Sequence, residues 1–217
     1  MVDVAGAAIA ILTRAPSSGG KRRLFASLGR PADPALLEAL FLDTLDASAV
    51  PGAVRIVAVE PPGACGEVRA LVPQDVAVVP QVEGTLGDRM RGAMAAAFGR
   101  GARAVALVGS DLPDLDGSRL IEAFDRLDRE PGGLVLGPAP DGGYYLIAAT
   151  AVPEVFGGIE WGTGRVLAQT LEAAARRRLT VHLLAPMADT DTIDDLRRVR
   201  AARTAAWVRS SVTEAGK

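Results

Sequence analysis

Ala104-Val105-Ala106-Leu107-Val108-Gly109-Ser110-Asp111-Leu112-Pro113 is an unbroken apolar run that stops at a glycine, places a carboxylate just past its end and then fixes the chain with proline. A run without polar alternation reads as a strand buried on both faces, the kind found in parallel sheets covered by helices. Similar runs recur at 7–13, 54–59, 76–79, 133–137, 143–149 and 179–184. Between them, Pro34 to Ala47 sets Leu36, Leu37, Leu40, Phe41 and Leu45 on one helical face, and Leu86 to Phe98, Ser118 to Leu127 and Gly164 to Arg178 behave alike. This alternation predicts an α/β fold: a mostly parallel sheet with helices on both faces. A last helix is expected from Thr192 to about Val208, with Thr192 as N-cap and Asp194 and Asp195 in the first turn, where the helix dipole favours acids. The chain has 217 residues, 49% of them apolar, enough for one such domain over 1–217, and no repeat or linker divides it.

Composition excludes several classes of function. Lys and Arg number 24 against 26 Asp and Glu, a formal charge of −2, which argues against nonspecific binding to nucleic acid or an anionic membrane. Apolar runs such as Ala7 to Leu12 are far too short to span a bilayer, and the N-terminus lacks the layout of a signal peptide, so a cytoplasmic location is expected. The single cysteine, Cys65, allows no internal disulfide and reads as part of a surface turn, Pro61 to Gly66. The single histidine, His182, falls in the apolar run Leu179 to Leu184 and reads as a strand residue with a satisfied side chain. Hydrolases that depend on histidine are thereby excluded, and the chemistry falls to Asp, Glu, Lys and Arg. Nothing in the sequence sets an oligomeric state.

Open α/β sheets bind ligands beyond the carboxyl ends of their strands, and three segments there carry chemistry. The first, Thr13 to Leu24, combines Pro16, Gly19 and Gly20 with the cations Arg14, Lys21, Arg22 and Arg23, and reads either as a loop suited to phosphate or as a solvated basic turn. It is not a Walker loop, since Arg22 stands where Ser or Thr would reach Mg²⁺. The second is Asp111, which reads either as a cap or as a ligand for Mg²⁺ or Mn²⁺, whereas Asp114 and Asp116 read as turn or capping residues. The third is Ala188-Asp189-Thr190-Asp191-Thr192, where residues two apart in extended backbone project to one side, so Asp189 and Asp191 can converge on one cation or serve as a helix cap. Asp111, Asp189 and Asp191 together form a hard-metal constellation. Gly137 to Leu146, containing Asp141, Gly142, Gly143 and Tyr144, reads as a hairpin whose glycines let backbone amides approach a substrate. Glu83 to Met90 opens a helix in which Arg89 either neutralises phosphate or pairs with Asp88, and Trp161-Gly162-Thr163 reads as a lid or a packing contact.

Taken in order, these pieces resemble the transferases related to 2-phospho-L-lactate guanylyltransferase, glycosyltransferase-like members of the nucleotide-diphospho-sugar transferase superfamily. The resemblance spans nearly the whole chain: the basic loop Pro16 to Leu24, Gly84 to Met90, Gly109 to Pro113, Gly137 to Leu146, Trp161 to Thr163 and Asp189 to Thr192. It implies a GT-A-type, Rossmann-like fold, with a nucleotide over the first strands, Asp111, Asp189 and Asp191 around Mg²⁺ or Mn²⁺, and the basic loop closing on the donor phosphates. The family usually has Lys-Thr-Arg-Leu where this chain has Lys21-Arg22-Arg23-Leu24, and lysine at Arg14.

The leading expectation is metal-dependent nucleotidyl transfer from a nucleoside triphosphate to a small phosphorylated acceptor, with Lys21 and Arg23 stabilising the leaving pyrophosphate. Arg14, Pro16, Gly19, Gly20 and Arg89 would join these two at the phosphates. Asp141, Gly142, Gly143, Tyr144, Trp161 and Thr163 would hold the acceptor. The alternatives are glycosyl transfer from a nucleotide sugar, with Asp141 as base, and a decayed site that only binds a nucleotide or a partner.

Overall fold

The structure, a computed structural model, describes residues 4–214. Seven strands form one sheet: β1 (Ala7–Arg14), β2 (Val54–Glu60), β3 (Ala77–Pro80), β4 (Ala104–Gly109), β5 (Leu134–Pro138), β6 (Tyr144–Ala149) and β7 (Val181–Leu183). Their order is β3-β2-β1-β4-β6-β5-β7. β6 alone among these is antiparallel, to both β4 and β5, because a tight turn returns it beside β5. Gly142 in that turn has φ +87, and the Asp141 carboxylate accepts the amide of Gly143 at 2.9 Å.

Helices cover both faces: α1 (Arg22–Ser27), α2 (Pro34–Ala47), α3 (Cys65–Leu71), α4 (Leu86–Phe98), α5 (Gly117–Arg129), α6 (Val166–Arg176), α7 (Ile193–Arg198) and α8 (Ala202–Glu214). The two cores follow from period-two alternation in β1. Ile9 and Ile11 join Phe41, Leu45, Phe124 and Leu127 of α2 and α5. Ala8 and Ala10 face Met90, Ala93, Met94 and Ala97 of α4, whose small residues let that helix lie close to the sheet. No described helix is long and apolar enough to cross a membrane.

Three local expectations need correction. The basic loop ends at Lys21, since Arg22 already begins α1, which Leu24 and Phe25 anchor against Leu36 and Leu40 of α2. Cys65 opens α3 instead of ending in a surface turn. The C-terminal helix is broken in two: the Asp114 carboxylate accepts the amides of Arg200 and Ala201, at 3.0 and 2.9 Å, and so satisfies the backbone at the joint. Thr192 caps α7 as expected, in a reciprocal capping box with Asp195. Asp189 and Asp191 are therefore not the cap. Asp116 caps α5, and His182 on β7 pairs with Glu130 at 2.9 Å.

Two features place the site. Strand order reverses between β1 and β4, so the loop after β1 and the carboxylate after β4 emerge side by side at a topological switch point. β7, by contrast, is separated from β4 by β5 and β6. The chain after it runs back across the strand ends, donating from Leu184 to Leu136 O (2.9 Å), from Met187 to Pro138 O (3.0 Å) and from Thr190 to Asp111 O (3.1 Å). Those bonds carry Asp189 and Asp191 to Asp111.

Candidate metal and nucleotide site

Asp111, Asp189 and Asp191 each offer a carboxylate oxygen within 4.8 Å of the other two. All three are half-buried, and the Thr190 bond to Asp111 O ties the two segments together at the backbone. Lys21 lies among them. Its Nζ is 2.5 Å from Asp111 Oδ2 and contacts Asp191 Oδ1, with only 12% of the side chain exposed. Burial by itself would favour the neutral amine, but the charges of Asp111 and Asp191 outweigh it and hold Lys21 above the usual lysine range. Asp189 is pushed up to about 6, first by burial and then by the neighbouring charge of Asp111. Crowded hard oxygens with no sulfur or imidazole among them fit Mg²⁺ or Mn²⁺.

The trio stands where two cavities meet. The first, of about 500 Å³, is lined by Arg14, Gly19, Gly20, Lys21, Arg22 and Arg23 along with apolar side chains of α2. The second, of about 460 Å³, is walled by Leu86, Met90, Tyr144, Tyr145, Trp161 and Val166 among others. Arg23, Asp111, Asp189 and Asp191 border both. Among the described residues, Arg22 and Arg23 have no ion-pair partner. Lys21 (φ 45) follows Gly19 (φ 71) and Gly20 (φ 155), so the loop turns through left-handed backbone to aim the ammonium at the carboxylates.

The other residues expected at phosphate divide. Arg14 lines the first cavity but binds Glu60 at 2.7 Å. Arg89 reaches neither cavity and pairs with Glu60 at 3.2 Å, while its expected partner Asp88 caps α4 from within a capping box. Glu60 is the residue that sequence reasoning missed here: a lone acid closing the apolar strand β2 was the available signal. Pro16 is buried in a short 3₁₀ turn whose Ser17 amide donates to Glu67 at 3.0 Å, and it lines neither cavity.

Of the residues expected around the acceptor, Asp141, Gly143, Tyr144, Trp161 and Thr163 line the second cavity. Gly142 does not, because its α-carbon packs against the Gly164 backbone. Tyr144 and Trp161 meet edge to face, with centroids 6.5 Å apart, and burial pushes the Tyr144 phenol above its ordinary range. Trp161 thus serves both as wall and as packing contact.

A protein from Desulfovibrio desulfuricans G20, named as a candidate nucleotide-diphospho-sugar transferase, is 30% identical over 96% of this chain and 96% of its own, with a TM-score of 0.83. A cytidylyltransferase from Leptospira borgpetersenii shares the fold at 11% identity, a TM-score of 0.58 and coverage of 98% and 96%. CMP:2-keto-3-deoxy-manno-octonic acid synthetase in complex with CTP shares it at 13% identity, a TM-score of 0.56 and coverage of 94% and 99%. No curated protein sequence matches. Fold and relatives place the chain in the class of transferases built on the nucleotide-diphospho-sugar transferase fold.

The chain belongs to the family described as "Uncharacterized protein conserved in bacteria (DUF2064)", whose model matches residues 44–163. None of these three relatives bears the name 2-phospho-L-lactate guanylyltransferase, so that narrower relation rests on sequence motifs alone.

Proposed function

We propose that the chain catalyses metal-dependent nucleotidyl transfer, in which an acceptor oxygen attacks the α-phosphate of a nucleoside triphosphate and pyrophosphate leaves. The observation that carries this reading is the meeting of three carboxylates with an arginine-lined cavity on one side and an apolar, aromatic one on the other. A divalent ion held by Asp111, Asp189 and Asp191 would neutralise charge on the reacting phosphate. Arg22 and Arg23, uncommitted to other acids, bind the phosphates that depart and hold them in line with the attacking oxygen. The acceptor presents its anionic oxygen at Arg23, where the cavities join, and rests its body against Trp161 and Tyr144. Among the described residues Arg23 is the one basic side chain lining the second cavity, so an acceptor with a single phosphate or carboxylate on an otherwise uncharged body suits it better than a multiply charged one.

The name of the Desulfovibrio relative favours a second reading, glycosyl transfer from a nucleotide sugar. In that reading Asp141 would be the base, but its carboxylate is bonded to the Gly143 amide within the turn. The two readings separate on charge: pyrophosphate departure needs cations beyond the α-phosphate, whereas glycosyl transfer leaves both phosphates with the nucleoside. Calorimetry with Mg²⁺ should show a nucleoside triphosphate binding more tightly than the matching nucleotide sugar, and a coupled assay over a panel of phosphorylated acids should detect pyrophosphate. Tight binding of a nucleotide sugar without measurable triphosphate binding would establish the second reading. Absence of turnover with every donor, despite nucleotide binding, would leave a domain that only binds.

A further inference from the structure

Lys21 and Lys217 are the only lysines in the sequence, against 22 arginines. A chain that uses arginine almost everywhere sets its single internal lysine at the centre of its carboxylate cluster. The two cations differ in the way this position demands: guanidinium is a planar fork, whereas ammonium is a compact point charge on a flexible stem. An ammonium between two carboxylates is the closest that a side chain comes to a small metal ion.

Resting on the metal-centre reading above, we infer that Lys21 is an internal counter-cation that a divalent ion displaces, and that the displaced ammonium then becomes a ligand for phosphate. Space requires the exchange. Oxygen ligands hold Mg²⁺ at about 2.1 Å, and the Nζ of Lys21 is already 2.5 Å from Asp111 Oδ2 while touching Asp191 Oδ1. An ion on those oxygens and an ammonium in contact with them would overlap and repel. The stem has somewhere to go: Lys21 lines the basic cavity beside Arg22 and Arg23, and Gly19 and Gly20 precede it as a hinge. Its backbone is left-handed (φ 45), unusual for a residue with a side chain, and release of the ammonium would let it relax.

The consequence is coupling between two ligands. Metal entry frees a cation for the triphosphate, and a triphosphate that draws Lys21 away opens the carboxylates to the metal, so each strengthens the other, as linkage requires. Without the exchange, Lys21 would keep a metal off the Asp111 and Asp191 oxygens that it holds.

The test uses the full chain and Mn²⁺ alone as first probe. Titration calorimetry gives the Mn²⁺ affinity, and acylation by a soluble N-hydroxysuccinimide ester, read by mass spectrometry, gives the accessibility of Lys21, with Lys217 as internal reference. Saturating Mn²⁺ should speed labelling of Lys21 severalfold relative to Lys217, and adding inorganic pyrophosphate should slow it again. Lys21→Met, which keeps the stem and removes the charge, should bind Mn²⁺ about tenfold more tightly than the unaltered chain, a difference of about 1.4 kcal/mol. Arg22→Met serves as the control for simple loss of a nearby positive charge and should change the affinity by less than about threefold, since no ion pair joins it to the trio among the described residues. Mn²⁺ uptake that depends on Asp111 but leaves Lys21 labelling unchanged would overturn the exchange and leave the metal centre standing. No Mn²⁺ uptake at all would overturn both. The labelling arm needs no variant, so misfolding of Lys21→Met does not shield the idea.

Discussion

Asp189→Asn is expected to make the metal-free protein more stable at neutral pH while destroying its response to metal. In the fold the Asp189 carboxyl is raised from 3.8 to about 6, by burial first and by Asp111 second. Between those two values the folded chain keeps a proton that the unfolded chain has released. The protonated form therefore contributes stability that is complete below about pH 4 and is lost as pH rises through about 6. At about 1.4 kcal/mol per tenfold change in proton affinity, the full difference is about 3 kcal/mol, and solvent screening of a half-buried group reduces it to about 1–2 kcal/mol. Denaturant unfolding of both proteins in a chelator, at acidic and at neutral pH, reports Asp189 together with its coupling to Asp111 and Asp191, because the carboxylates remote from it cancel in the difference. The unaltered chain should lose about 1–2 kcal/mol relative to Asp189→Asn between the two conditions. Adding Mn²⁺ at neutral pH should stabilise the unaltered chain and leave the variant nearly unmoved. A variant no more stable than the parent in chelator at neutral pH would refute the picture of an ionised, crowded Asp189.

Three further outcomes follow from other contacts. Asp111→Asn should lower turnover at least about 100-fold and abolish Mn²⁺ binding with little change in unfolding midpoint, since it keeps shape and removes charge where phosphate charge must be offset. Gly142→Ala would place a Cβ 2.1 Å from the Gly164 carbonyl oxygen on a left-handed backbone, and chemical unfolding should show a loss of about 2–3 kcal/mol. Asp43→Ala should cost about 2–4 kcal/mol and expose α8 to proteolysis, because the nearly buried Asp43 carboxylate accepts the Thr204 amide at 2.8 Å and pairs with Arg203 at 3.2 Å. Each is checked on purified protein by urea unfolding alongside a nucleotide titration.

The sequence by itself determined the sheet and the identity of the acids. All seven strands lie where apolar runs were read: the five inner ones are largely buried on both faces and so have no polar alternation to disguise them, and the partly exposed edge strands β3 and β7 are short apolar runs as well. Asp111, Asp189 and Asp191 were legible because each follows a strand or its connection at the carboxyl edge, where a parallel sheet must open its crevice. Local pattern was silent wherever a partner distant in sequence decided the outcome. The final helix divides because Asp114, 86 residues away from Arg200, takes its amide. Arg89 turns from phosphate to Glu60, and Arg14 shares that acid with it. The largest such decision is at the centre. A basic loop near residue 21 and an acidic pair near residue 190 each read as a site for a different ligand, phosphate or metal, and nothing in either stretch states that they touch. Only the strand order, which puts β1 beside β4, and the hydrogen-bonded return of the chain after β7 bring the Lys21 ammonium into the carboxylates. Periodicity records which face of an element is apolar, whereas the meeting of charges 170 residues apart is fixed by topology.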